Sequence, residues 1–221
     1  YLNGGPGVAT GLDQEGIKDW WTWVEENEWS SDVVLFDQRG TGLSTPNLHC
    51  PKVQAMLRRS LDKSLSAKED FQLWRQIVKD CYQRLRQTGV DLSRYTTTNS
   101  SRDVGELMAA LGGNSWNLYG VSYGTRLALT VVRDYPDQIR SVILDSVYPP
   151  EINDLLEFPF IYDNALTTLF KSCQTDRVCH ATFPHLESSL FTLLEQLQQT
   201  PMVLTVPNTT VGKEQKVVIN D

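Results

Sequence analysis

The stretch Gly120-Val121-Ser122-Tyr123-Gly124 decides the fold, because it sets a serine between two glycines where one periodicity gives way to another. Before it, Ser115-Trp116-Asn117-Leu118-Tyr119 reads as a short buried strand. After it, Leu127, Ala128, Val131 and Val132 recur at helical spacing until Tyr135-Pro136 stops the run. A strand that enters a helix through G-x-S-x-G has the form of a nucleophile elbow. The serine sits in a strained turn that pushes its hydroxyl out of the sheet, and the glycines let strand and helix backbones approach closely. Ser122 is therefore the candidate nucleophile. The alternative, an ordinary Gly/Ser turn, does not account for the strand before it and the helix after it.

Working outward, Tyr1-Leu2 reads as the end of a strand, and Asn3-Gly4-Gly5-Pro6-Gly7 is too glycine-rich for any regular element. Such a loop leaves backbone N–H groups unpaired and able to point at a developing negative charge. Ahead of a nucleophile elbow it supplies one half of an oxyanion hole. The amide of Gly5 is the chosen donor, with Gly4 the close alternative, and the amide of Tyr123 is the second half. Asp32-Val33-Val34-Leu35-Phe36-Asp37 reads as a buried strand that ends in the turn Asp37-Gln38-Arg39-Gly40-Thr41-Gly42. Asp37 and Arg39 are expected to hold that turn beside the active site by hydrogen bonds. No G-K-[ST] follows, so a phosphate-binding reading fails. Trp20, Trp21, Trp23 and Trp29 are read as covering core surface around a short helix rather than lining a substrate pocket.

From Glu69 to Arg86, Phe71, Trp74, Ile77, Val78, Cys81 and Leu85 keep helical spacing, which puts Cys81 on the buried face within reach of Cys50. Another helix is expected from Ser100, with Asp103 completing a capping box and Gly112-Gly113 ending it. Ser141-Val142-Ile143-Leu144-Asp145 is expected to be a third buried strand. The alternation of helix and strand from 32 to 148 predicts an α/β fold with a doubly wound, mostly parallel sheet. Beyond Pro150 two amphipathic helices, Asp154 to Phe170 and His185 to Gln199, flank a Cys173/Cys179 loop, and a hairpin turns around Asn208. Residues 1–150 are thus read as the core and 151–221 as the start of an inserted lid.

Composition narrows the class. The 221 residues are 40% hydrophobic and 21% charged with a net charge of −7, so no nucleic-acid partner is expected. No apolar run approaches the ~20 residues of a membrane span. Cys50 with Cys81 and Cys173 with Cys179 are read as two disulfides rather than as buried free thiols, although sequence alone allows three pairings, and hence as a secreted, periplasmic or other oxidising location. No C-x-x-C pattern occurs, and neither a metal nor a cofactor is expected. Asn99-Ser100-Ser101 and Asn208-Thr209-Thr210 match the glycosylation acceptor pattern, which carries little weight alone.

With Asn3-Gly4-Gly5-Pro6-Gly7, Asp37-Gln38-Arg39-Gly40-Thr41-Gly42 and Gly120-Val121-Ser122-Tyr123-Gly124 in this order, the chain resembles the serine aminopeptidases of the α/β-hydrolase fold, the proline iminopeptidase and tripeptidyl aminopeptidase group. The resemblance runs from Tyr1 to about Pro150, and Asn at position 3 leans toward the tripeptidyl branch. It implies release of N-terminal residues or tripeptides from peptides through an acyl-enzyme on Ser122. It also implies that acidic lid groups hold the free amine, and Glu151, Asp154 and Glu157 are the nearest of these. A hydrolase triad runs Ser, Asp/Glu, His along the chain. His49 lies upstream of the serine and His180 and His185 lie in the lid region, so none is read as the base, and Asp145 is a weak candidate for the acid. The expectation is a piece of an enzyme, inactive alone, whose remaining C-terminal part carries the Asp and His. A carboxylesterase or thioesterase of the same fold, or a non-catalytic hydrolase-like binding protein, are the alternatives.

Overall fold

The structure, a computed structural model, describes residues 1–113, 115–208 and 212–220. It divides into two compact units, residues 1–49 with 83–153 and residues 50–82 with 154–221. The expected single boundary after residue 150 lies close to Asp154, where the later segment of the second unit begins.

In the first unit the frame is β1 (Trp116–Val121), α5 (Tyr123–Asp134) and β2 (Ile139–Asp145), preceded by α1 (Gln14–Glu26) and α4 (Thr97–Ala110). β1 and β2 are parallel, with Leu118 opposite Val142 and Val121 opposite Asp145. On the other edge of β1, Leu2 forms a parallel bridge to Gly120, its N–H donating to Tyr119 O (2.8 Å) and its carbonyl accepting from Val121 N–H (3.1 Å). The core gathers Leu2, Val104, Met108, Leu118, Tyr123, Leu127, Ala128 and Val131. Leu127, Ala128 and Val131 are fully buried, the three- and four-residue spacing placing them on one face of α5. Each of the larger two contributes ~2 kcal/mol by burial.

Three expectations need correction here. Residues 32–37 belong to no assigned strand: the terminal amino group of Tyr1 donates to Val34 O, and Phe36 O accepts from the Thr10 hydroxyl rather than from a neighbouring strand. β2 is not buried, because Val142 and Leu144 face the core while Ser141, Ile143 and Asp145 on the alternate face are exposed. α4 begins at Thr97, three residues before Ser100, and Thr96 is its cap, accepting from Asn99 N–H.

The second unit holds α2 (Pro51–Ser60), α6 (Asp154–Thr175), α7 (Arg177–Thr182), α8 (Leu186–Gln199) and the antiparallel hairpin β3 (Met202–Asn208) with β4 (Lys213–Ile219). The helix α3 (Ala67–Gln87) crosses the division after Tyr82. Both disulfides form, Cys50–Cys81 and Cys173–Cys179. The second does not sit in a loop: Cys173 is in α6 and Cys179 in α7, and Asp176 caps α7 between them. Of the two acceptor tripeptides, Asn208-Thr209-Thr210 extends outside the described residues, and Asn99-Ser100-Ser101 lies within α4 with Ser101 fully buried.

Candidate active site

Ser122 joins β1 to α5 at φ 54°, ψ −120°, a backbone region that costs a residue with a β-carbon ~1–3 kcal/mol. Its main chain holds it there. The N–H donates to Asp145 O of β2 (2.8 Å), and the carbonyl accepts from Thr125 N–H (2.9 Å) and the Thr125 hydroxyl (2.6 Å). A serine at a helix start normally caps it with its own hydroxyl. Ser122 makes no such bond, so its exposed hydroxyl is not spent on the fold. The flanking glycines are sterically required. A β-carbon at Gly120 would lie 2.6 Å from the carbonyl carbon of Gly124, and one at Gly124 would lie 2.7 Å from that of Leu2.

The glycine loop lies against this elbow. A β-carbon at Gly4 would come within 3.2 Å of both Ser122 Cβ and Val121 O, so the two backbones pass closely and a larger residue would have to push them apart by a few tenths of an ångström. Gly4 N–H donates to Asn3 Oδ1 (2.9 Å). Gly5 follows at φ +115°, which favours glycine, and is exposed. Tyr123 is the first residue of α5, so its N–H has no acceptor within the helix. Its ring is buried, with its hydroxyl 2.9 Å from Thr97 Oγ1.

The turn after residue 37 braces the loop, as its sequence suggested. Asp37 is buried, and its carboxylate accepts from Thr10 N–H (2.7 Å) and Leu43 N–H (2.8 Å). Gln38 Nε2 donates to Asn3 O (2.9 Å). Arg39 forms a fork with Asp103, Nε to Oδ2 at 2.6 Å and Nη2 to Oδ1 at 2.5 Å, and also donates to Arg94 O and Asn99 O. The bond to Asp103 is the main reason the guanidinium is held even more firmly protonated than usual. Sequence reasoning missed the roles of Asn3, Gln38 and Thr125, and read Asp103 as half of a capping box.

The tryptophans divide between ring packing and the wall of a cavity. Trp23 stacks on Tyr119 with ring centroids 5.8 Å apart, Trp20 sits edge-on to Tyr1 at 4.5 Å, and Trp21 is exposed. A cavity of about 730 Å³ opens beside Trp23, Trp29, Met108 and Asn117, and Ser122 does not line it. Asp145 accepts at its carboxylate from the Tyr119 hydroxyl (3.2 Å) and from the Ser146 hydroxyl (3.1 Å). Burial first, and that carboxylate second, push the Tyr119 phenol above its ordinary range. Among the described residues no side chain is hydrogen-bonded to Ser122 Oγ, neither His49 of the same unit nor any other. Glu151 is exposed beside a chain segment gripped by Arg126, whose Nη2 donates to Pro149 O (2.9 Å) and Ile152 O (2.5 Å). The side chain of Asp154 lies outside the described residues, and Glu157 is on α6. No group of three or more potential metal ligands occurs among the described residues. No described helix is long and apolar enough to cross a membrane.

The family model described as alpha/beta hydrolase fold matches residues 1–176. A tripeptidyl aminopeptidase of Streptomyces lividans is 35% identical over 128 residues, 54% of this chain and 22% of its own. A serine protease of Mycobacterium tuberculosis is 26% identical over 130 residues, 56% of this chain and 24% of its own. A proline iminopeptidase of Xylella fastidiosa is 25% identical over 116 residues, 52% and 24% of the two chains. The matched region is therefore about a quarter of each relative's length.

Proposed function

The chain belongs to the α/β-hydrolase fold family, and from that premise we propose that it carries the nucleophile and oxyanion hole of a serine exopeptidase acting on peptides with a free N-terminus. The observation that carries the reading is the exposed, uncapped Ser122 in a strained strand-to-helix turn, with the Gly4 backbone packed against it. In the proposed reaction Ser122 Oγ attacks the scissile carbonyl carbon while a base removes its proton. The oxyanion is held by the N–H groups of Gly5 and Tyr123, and the C–N bond breaks as the leaving amine takes up the proton. Water then hydrolyses the acyl-enzyme. Gly5 is preferred to Gly4 because the Gly4 N–H is already given to Asn3 Oδ1. Each preorganised donor is worth ~3 kcal/mol of transition-state stabilisation.

The aminopeptidase assignment draws on the names of the relatives, tripeptidyl aminopeptidase and proline iminopeptidase. The base and its orienting acid are assigned to the remaining part of the same enzyme, so residues 1–221 alone are expected to be inactive. Residues 151–221 are assigned to substrate selection, and the two disulfides fit a secreted or periplasmic enzyme.

A fluorophosphonate probe applied to the full-length protein is expected to label Ser122, and Ser122→Ala is expected to abolish both labelling and turnover. Tripeptidyl and aminoacyl nitroanilides should be cleaved. Turnover of nitrophenyl esters with no amide cleavage would replace the peptidase with an esterase. Ser122-dependent turnover by residues 1–221 alone would place the base among His49, His180 and His185.

A further inference from the structure

Resting on the reading of Ser122 and Gly5 above, we propose that Asn3 is the positioning residue of the oxyanion hole, a side-chain clasp that aims the Gly5 amide. A loop with three glycines in five residues has little intrinsic preference for one backbone shape. Something must fix it before it can act as a preorganised donor.

The Asn3 side chain spans the loop from end to end. Its Oδ1 accepts from Gly4 N–H (2.9 Å) and from the Tyr1 hydroxyl (3.3 Å). Its Nδ2 donates to Ala9 O (2.9 Å) and Val8 O (3.3 Å) on the far side. Its main-chain carbonyl is anchored in turn by Gln38 Nε2 (2.9 Å), and the next residue after the loop's far end, Thr10, is pinned through its N–H to the buried Asp37 carboxylate. The clasp has two consequences. It withdraws the Gly4 amide from substrate, and it leaves the Gly5 and Tyr123 amides as the donor pair.

The chemistry is specific to a carboxamide. Only a planar amide offers an acceptor toward Gly4 N–H and a donor toward two carbonyls at the same time. The neighbours also fix its orientation: turned over, the NH2 group would face the Gly4 N–H and the oxygen would face two carbonyl oxygens. An aspartate is isosteric but turns an oxygen toward Val8 O and Ala9 O, so it keeps one end of the clasp and repels the other.

The test uses the full-length enzyme with Asn3→Asp and Asn3→Ala, with active sites counted by fluorophosphonate titration. In both variants kcat per titrated site is expected to fall on the order of 100-fold, as for loss of an oxyanion donor. KM is expected to stay within about twofold, because the lost contact is made only in the transition state. Affinity for a boronic acid, whose tetrahedral adduct occupies the oxyanion hole, should fall by the same factor as kcat. A reduced number of titratable sites with unchanged kcat per site would show that Asn3 serves only the fold and would overturn the proposal. If Asn3→Ala does not fold, the isosteric Asn3→Asp decides alone. Failure of the underlying reading is separable: a wild-type protein that does not label, or an active Ser122→Ala, removes the serine mechanism and the clasp with it.

Discussion

Four aspartates hold polar contacts of the first unit, and each does so by what its oxygens accept: Asp37 two loop amides, Asp103 the Arg39 fork, Asp145 two hydroxyls, and Asp134, at the far end of α5 from the elbow, the hydroxyl of the fully buried Ser101 (2.9 Å). Asp134 also meets Arg133 at 2.7 Å. That contact first, and Ser101 after it, lower the Asp134 pKa from its ordinary value. Arg133 is mostly exposed, so its share is discounted for solvent screening, and the Ser101 bond, worth ~1 kcal/mol, is the larger part of the stability. A carboxyl whose folded pKa is depressed stabilises the fold fully above its unfolded value, about 3.9, and loses that contribution as pH falls through the folded value. Asp134→Ala should therefore cost ~1 kcal/mol in urea unfolding at pH 7. The gap from wild type should close as pH falls below the ordinary aspartate range, and a gap that stays constant down to pH 3 would refute this. The turn at Ser122 was legible because a buried strand, a serine between two glycines and a helical run follow one another directly in sequence. Asp103 was not, because Ser100-x-x-Asp103 spells a capping box as readily as an ion-pair partner, and only the fold brings Arg39 to it.

Whole elements were legible where one strong periodicity ran uninterrupted, as in α5, and blurred where two signals competed. α4 starts at its Thr96 cap, one turn before the Ser100 that also has the form of a cap, and Ser100 and Ser101 lie inside the helix on its buried face. Residues 32–37 have the composition of a strand, yet a strand is completed by a neighbour's N–H and C=O groups, which composition does not report. The strand–turn–helix unit makes its own prediction at Gly124. Alanine is ~1 kcal/mol the better helix former, but its β-carbon would press on the backbone at Leu2 and Asn3, where no side chain can swing aside. The clash is expected to win, with Gly124→Ala losing ~1–3 kcal/mol in urea unfolding. Its kcat per titrated site should also drop, because Asn3 is displaced. A more stable Gly124→Ala would show that the approach of Leu2 to α5 is looser than the geometry implies.

Over the whole molecule, the boundary after residue 150 was suggested by a change in composition, but the second unit also takes in residues 50–82. Among the described residues that segment is bonded to β4 and to the residue after it: Val218 N–H to Leu61 O (2.7 Å), Gln215 Nε2 to Arg58 O (3.3 Å) and Asn220 Nδ2 to Leu65 O (3.1 Å). Pairings some 155 residues apart leave no trace in local periodicity, so no pass along the chain finds them. The cysteines, in contrast, paired as their proximity in sequence suggested, and both bridges lie in this unit. Their loops differ in length, with separations of 31 and 6 residues, so they constrain the unfolded chain unequally. On loop-closure entropy the longer bridge is worth ~4 kcal/mol and the shorter ~2 kcal/mol. The four half-cystines are not equally placed: Cys81 and Cys173 are buried, so serine at either adds a small cost of its own to each pair. With that cost common to both, replacing Cys50 and Cys81 together by serine should lower the denaturant midpoint of the full-length protein more than replacing Cys173 and Cys179, by an amount equivalent to ~1.5 kcal/mol. The reverse order would mean that the Cys173–Cys179 bridge holds the α6–α7 corner in a way chain entropy does not describe.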